Sequence, residues 1–253
     1  SGARSNLRSP RESIMKALMQ TTLFLAASLL AGAAAAQTEV PKQVKIVVPF
    51  TAGASNDAIA RAIAPQLAAR FGNTVIVENR GGAAGAIGSE YVARSAKDGS
   101  VLLLTSSTFL TTAATQPHLP YDPLKQFAPV AMIGQGPLVI AASAQTPYTS
   151  LKQLLEAARK RPGALNYGSA GVGSLAHLAT VMLDDAAGTS MTHVPYKGAA
   201  NAASDLAGGL IDVMLSNYST LAPVVQGKKV KLLATTAQET SPAFPDLQPA
   251  ARA

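Results

Sequence analysis

From Val44 onward, short β-branched runs alternate with stretches whose apolar residues recur every three or four positions, the pattern of strand and helix repeated along a largely parallel sheet. Strands are expected at Val44 to Phe50, Thr74 to Asn79, Val101 to Ser106, Leu138 to Ser143, Leu165 to Ser169, Met191 to Pro195, Val213 to Ser216 and Val230 to Thr235. So many strands in so short a chain suggest two sheets. Ile59, Ile63, Leu67 and Phe71 predict a helix capped by Ser55 or Asn56, stopped by Gly72 and kinked at Pro65. A second helix starts at Ser150, where Gln153 completes a capping box, turns Leu151, Leu154, Leu155 and Ala158 inward, and stops at Pro162 and Gly163. A third runs from Ser174 with Leu175, Leu178 and Met182 on one side, and an alanine-rich fourth covers Asn201 to Ala207.

Upstream, the pattern changes. From Met15, a lysine (Lys16), an apolar run from Leu23 to Leu30 and the small residues Ala34 to Ala36 read as a secretory leader cleaved after Ala36. The apolar run is shorter than the roughly 20 residues needed to span a bilayer. The polar residues Ser1 to Ile14 precede Met15 and are not expected to belong to the fold.

Composition narrows the choices. The chain has 253 residues, 48% hydrophobic and 14% charged, enough for one large domain or two lobes. It has no cysteine, which excludes disulfide scaffolds, thiolate metal sites and cysteine nucleophiles. The formal charge is +7, and the four basic residues and one acid before position 37 carry part of it. The remaining charges are scattered and aromatics are few, so a nucleic-acid surface is not expected, whereas mild attraction for anionic solutes is.

Two strand-to-helix turns carry candidate chemistry. Pro49 to Asp57 (PFTAGASND) leads straight into a helix, whose unpaired first amides and positive dipole end form an anion site; Ser55 and Asp57 could equally be caps alone. Thr51, Ala52, Gly53, Ser55, Asn56 and Asp57 are the candidate ligand contacts there. Tyr167 to Ser174 (YGSAGVGS) is a second such turn, with Gly168, Ser169, Ala170, Gly171, Gly173 and Ser174 as candidates and His177 just inside the helix. Gly171, Gly173 and Ala176 also match a dinucleotide pattern, but the acid required at the end of the next strand is missing. Gly81, Gly82, Gly85 and Gly88 form a third loop that could shape the cleft, although a tight connection alone explains it and is the favoured reading.

Ser106 and Ser107 lie where the third strand ends, the edge at which parallel sheets hold ligands. Asp212, preceding a strand, is the acid most readily placed in a cleft or else a turn residue. There is no G-x-S-x-G elbow, P-loop or H-E-x-x-H helix, and His118, His177 and His193 are far apart, each read as packed or surface histidines. Neither cofactor nor metal is expected.

PFTAGASNDAIAR, VENRGGAAGAIG, LPYD, YGSAGVGSLAH, VPYKG, Asp212 to Met214 and Val230 to Thr236 with Pro242 to Asp246 occur in the order found in the Bug family. The chain from Val44 to Leu247 therefore resembles the solute receptors of tripartite tricarboxylate transporters. The resemblance implies an α/β type II periplasmic-binding-protein fold: two lobes joined by hinge strands, closing on a ligand whose carboxylate meets loops Thr51 to Asp57 and Gly168 to Ser174.

Further contacts are then expected among Ser106, Ser107, His177, Asp212 and Asn217. On this reading 37–136 and 232–253 form one lobe and 137–231 the other. The protein is a periplasmic, non-enzymatic monomer that captures a small carboxylate for transporter membrane subunits. Two departures stand out: Ala54 replaces a second glycine, and family members continue past the element matched by Pro245 and Asp246, so the first lobe is expected to be incomplete. The competing readings are a nucleotide-dependent oxidoreductase, a hydrolase using Ser169 or Ser174, and a non-functional receptor remnant.

Overall fold

The computed structural model describes residues 41–252. The leader and its cleavage point after Ala36 lie outside the described residues. All eight expected strands form: β1 (Gln43–Val48), β2 (Thr74–Asn79), β3 (Val101–Leu103), β4 (Val139–Ser143), β5 (Asn166–Ser169), β6 (Thr192–Pro195), β7 (Val213–Ser216) and β8 (Val230–Thr235). They make two sheets, as expected, ordered β2-β1-β3 and β6-β5-β7-β4-β8. Two strands end earlier than predicted. β1 stops before Pro49, which has no N–H to offer the ladder, and β3 gives one further bond, from Leu104 N to Val47 O, before Thr105 turns away.

The first sheet is parallel throughout. In the second, β4 runs antiparallel to both β7 and β8. Every residue of β4 is buried, which is why it reads as a continuous apolar run instead of an alternation. Helices cover both faces of this sheet. α4 (Leu151–Lys160) and α5 (Leu175–Ala187) pack on one side with Ile140, Ala142 and Leu215, and α6 (Ala199–Gly208) and α7 (Tyr218–Gln226) on the other with Val139, Ala141 and Met214.

The helix predictions differ in how well their faces match. In α4, Ser150 Oγ accepts the Gln153 amide at 3.3 Å, while the Gln153 side chain reaches the amide of Thr149, one residue earlier than a capping box requires. Its inward face is the predicted one, with Leu151, Leu154 and Ala158 fully buried and Leu155 partly so. α1 (Ser55–Phe71) runs through Pro65 to Gly72, whose left-handed φ of 65° ends it, but the buried residues are Asn56, Asp57, Ala60 and Ala64; Ile59 and Phe71 are exposed. In α5 the predicted Leu178–Met182 stripe is likewise off the core, with Met182 71% exposed, because Ala176, Ala179, Thr180 and Leu183 face the sheet. Small residues let these helices lie close to their sheets, so alanines take core positions that a hydrophobicity pattern assigns to larger side chains.

Three helices carry no clear signal in sequence: α2 (Ala86–Ala93), α3 (Thr108–Thr115) and α7. α2 follows a glycine cluster, α3 is threonine-rich, and α7 contains Pro223. The segment 232–253, expected to return to the first lobe, packs instead on the second. β8 pairs with β4 along its length, and Phe244, Leu247 and Ala250 join the second sheet's cores. The β1 to β3 sheet packs with α1 to α3, on which Leu119, Tyr121 and Phe127 also pack, and the β4 to β8 sheet packs with α4 to α7; these are called the first and second lobes.

Candidate functional site

At the corner after β1, two of the amides read as ligand contacts are already engaged within the protein. Gly53 N donates to Asp57 Oδ2 at 3.0 Å, and Arg61 Nε donates to both Asp57 oxygens at 3.0 and 3.1 Å. Burial works against the Asp57 charge, but Arg61 and the Gly53 amide outweigh it and hold the carboxyl below its usual range. Arg61 is itself fixed by donating to Asn79 Oδ1, whose amide group donates to Phe50 O. The helix has Ala54 at its cap position with no side-chain cap. Its first amide, Ser55 N, donates to Thr220 Oγ1 of the second lobe, and Ser55 Oγ donates to Asn217 Oδ1, so Ser55 and Asn217 join the lobes instead of lining an open site. Thr51 Oγ1 and Asn56 Nδ2 are buried without a hydrogen-bond partner.

At the corner after β5, several amides are engaged too, but by neutral groups. Ser174 caps α5 by accepting the His177 amide. Gly171 N donates to Ser169 Oγ at 3.1 Å, Gly173 N to His177 Nδ1 at 3.2 Å, and Leu175 N to Thr108 Oγ1 of the first lobe at 3.2 Å. Ser169 Oγ is 2.7 Å from His193 Nε2, so His193, read in sequence as a bystander, belongs to this corner. His177, His193 and Tyr167 stack, with the two imidazole centroids 4.2 Å apart. Burial pushes the His193 pKa down to about 4, aided by His177, and burial lowers that of His177. No spacing rule links positions so far apart, and only the parallel pairing of β5 with β6 brings them together.

Both corners face the seam between lobes. A side-chain β-carbon at Gly53 would lie 3.8 Å from Ala200 of the second lobe, and one at Gly171 would lie 3.1 Å from Ala84 N of the first. Gly198 abuts Thr51 so closely that any side chain there would collide with its hydroxyl. Between them lies a cavity of about 290 Å³ lined by Ala83, Ala84, Gln116, Gly171, Val172, Pro195, Tyr196 and Lys197.

Of the predicted contacts, only Gly171 lines this cavity. Thr51 reaches the seam through Gly198, while Ala52 and Gly53 are exposed at the loop tip. Gly168 is a packing glycine, since a β-carbon there would run into Ile211 and Ala202; Ala170 is buried against the first lobe's core. Ser106 and Ser107 supply backbone acceptors to α3. Asp212 is misplaced by the prediction: its Oδ2 accepts from Asn166 N at 2.8 Å, at the starting ends of β5 and β7, away from the edge where the turns converge.

The cavity walls that sequence reasoning missed had visible signals. The glycine run Gly81 to Gly88, for which a connection was favoured over a role in shaping the cleft, forms one wall through Ala83 and Ala84. Ala83 and Ala84 hold φ of 49° and 50°, a left-handed conformation costly for residues with a β-carbon and concentrated at functional sites. VPYKG supplies the other wall. Tyr196 is fixed there by donating to Asp205 Oδ2 at 2.7 Å, and burial with this bond pushes its pKa up to about 12. Among the described residues, no three His, Asp or Glu side chains cluster tightly enough to hold a metal ion.

The family model for the tripartite tricarboxylate transporter family receptor matches residues 59–253. The chain belongs to this receptor family. It is 36% identical over 207 residues to a protein of the tcbD-tcbE intergenic region of Pseudomonas sp. strain P51, covering 82% of this chain and 62% of that one. It is 33% identical to BugT of Bordetella pertussis, over 88% of this chain and 69% of BugT.

Two solved receptors share the fold. The Rhodopseudomonas palustris protein solved with adipate has TM-score 0.81 and 33% identity, over 84% of this chain and 72% of that one. MatC of the same organism, solved with malate, has TM-score 0.77 and 31% identity, over 83% of this chain and 72% of that one. The receptor-family chain thus has the α/β periplasmic-binding-protein fold, with the two sheets as its lobes.

Proposed function

We propose that this receptor-family chain binds a small organic acid in the cavity between its lobes and presents it to transporter membrane subunits. The observation that carries the reading is the composition of that cavity. Lys197 is the one charged side chain among the described residues lining it; Gln116 adds a polar group, and alanine, valine, proline and tyrosine supply apolar wall. A cation beside apolar surface suits a carboxylate on a short carbon chain. The adipate and malate bound to the two R. palustris receptors are of that class.

The amides already engaged at both corners favour ligand contacts on the walls over contacts to the turns alone. The corners build and join the two walls, and the ligand meets Lys197, Gln116 and the Ala83–Ala84 turn. Gly171 and Thr51 stand at its edges. Isothermal titration of the purified chain with malate, adipate, glutamate and benzoate tests this. At least one acid binds the wild-type chain, and Lys197→Met weakens it about tenfold, the loss of a charge-assisted contact. Absence of binding to all four acids, or binding unchanged in Lys197→Met, overturns it.

A hydrolase reading has one observation in its favour, the 2.7 Å approach of Ser169 Oγ to His193 Nε2. Against it, Ser169 is fully buried and its hydroxyl is engaged by Gly171, so no acyl group reaches it. We place the chain in the periplasm, as its receptor relatives are. The mass of the secreted protein reports whether the leader is cut after Ala36.

A further inference from the structure

We propose that His177 and His193 are positioning residues that hold the Gly171–Gly173 turn against the cavity, and that a proton on His177 releases the turn. The inference rests on the cavity being the ligand site. The connections run from backbone to ring at two points. Gly173 N donates to His177 Nδ1, which requires that nitrogen to be unprotonated. Gly171 N donates to Ser169 Oγ, which is in turn paired with His193 Nε2. With the rings stacked at 4.2 Å, movement of one displaces the other.

The turn they hold is in close contact with the opposite lobe. A β-carbon at Gly171 would lie 3.1 Å from Ala84 N, one at Gly173 would collide with Thr115, and Gln116 Nε2 donates to Val172 O at 3.2 Å. Gly171, Val172, Ala84 and Gln116 all line the cavity. The two imidazoles therefore act on the wall without touching a ligand.

Protonation affects the two rings differently. A proton on His193 leaves Nε2 able to donate to Ser169 Oγ, so that pairing survives. A proton on His177 Nδ1 turns an acceptor into a donor facing the Gly173 N–H, and the bond is lost. Two stacked cations at 4.2 Å repel, so the pair takes up one proton first, and His177 is the easier because its ring is less strongly depressed than that of His193.

Around the pair, β5 contributes Tyr167, and α5 contributes Asp184, whose charge acts on Tyr167. Asp185, also on α5, is exposed. α3 has no titratable residue. α4 keeps Lys152, Glu156, Arg159 and Lys160 exposed and turns its apolar face inward. The Asp184 oxygens are taken up by Thr189 Oγ1 and Met191 N, and no ion pair between a carboxylate and either ring is present among the described residues.

The test combines amide NMR of the ligand-free chain with titration of the tightest acid at pH 7.5 and 5.0, on wild type, His177→Asn and His177→Leu. The amide side chain introduced by His177→Asn keeps an acceptor near the Nδ1 position and cannot take up a proton. The expected result is that the Gly173 amide signal of wild type moves between the two pH values and that of His177→Asn stays. Wild-type affinity falls about fivefold at pH 5.0 relative to His177→Asn, about the worth of one hydrogen bond. His177→Leu binds weakly at both pH values.

The inference is overturned by a Gly173 signal that ignores pH in wild type, by equal pH dependence of binding in wild type and His177→Asn, or by undiminished binding in His177→Leu. If no acid binds while the Gly173 signal still follows His177, the positioning stands and the ligand reading falls.

Discussion

The two corners pose the same problem, engaging backbone amides beside a helix start at the seam between the lobes, and solve it with opposite chemistry. In the first lobe an ionised carboxylate, Asp57, takes the Gly53 amide and is neutralised by Arg61. In the second, serine and threonine hydroxyls and an imidazole nitrogen take the amides of Gly171, Gly173 and Leu175. A buried amide needs a partner of either kind. The choice decides what disturbs it: an ion pair is stable through neutral pH, whereas an imidazole acceptor is lost on gaining a proton.

The largest expected effect separates packing from hydrogen bonding at the second corner. Gly168→Ala places a methyl group against Ile211, which is 2% exposed and has little room to move; it is expected to cost about 3 kcal/mol of stability in denaturant melts, as overpacking does. A cost below about 1 kcal/mol would show that β5 yields more easily than the geometry implies.

At the first corner, Asp57→Ala leaves the Gly53 amide and Arg61 without their shared partner and is expected to cost about 2 kcal/mol. Asp57→Asn retains the acceptor for Gly53 and recovers about half of that. If Asn is as harmful as Ala, the pair with Arg61 outweighs the amide.

pH then divides the corners. The unfolded His193 ring takes a proton near 6.5 and the folded ring only near 4, so stability falls as pH drops from about 6.5 and levels off near 4. The expected loss is about 2 kcal/mol, reduced from the full shift because solvent still reaches part of the ring. Asp57 behaves otherwise: its contribution is complete above the unfolded value of 3.8 and is lost only as pH falls through its lower folded value. Thermal melts of wild type and His193→Gln from pH 7 to 4 should converge toward the acid end. Parallel curves would remove His193 from the account.

The smallest expected effect is Ser174→Ala, which removes the α5 cap and should cost about 1 kcal/mol. The corresponding change at the first corner, Ser55→Ala, removes no cap and should cost about half as much, through the bond to Asn217 alone.

Much of the fold was legible in the chain itself. Each of the eight strand runs formed, and the Ser150 and Ser174 caps and the Gly72 stop appeared where local chemistry put them. The helix faces were less legible, since Ala60, Ala64, Ala176 and Ala179 carry packing that larger residues were expected to carry. At the site, Gly171 was found because glycine in a strand-to-helix turn marks close approach. Lys197 was not, although it lies within VPYKG, and Gln116 was not, since nothing near it in sequence announces a cavity.

By itself, then, the sequence determined the eight strands, the capped helices and the turns that would meet at the lobe seam, because caps, glycine stops and hydrophobic periods act over a few residues. Tertiary structure alone decided which partner each buried amide found and which side chains faced the space between the lobes. Ser55 meets Thr220 only when the helix after β1 packs on the helix after β7, and His177 meets His193 only after β5 and β6 have paired. The use of an amide depends on whatever acceptor arrives from elsewhere, and that is a property of the packed molecule, not of its local sequence.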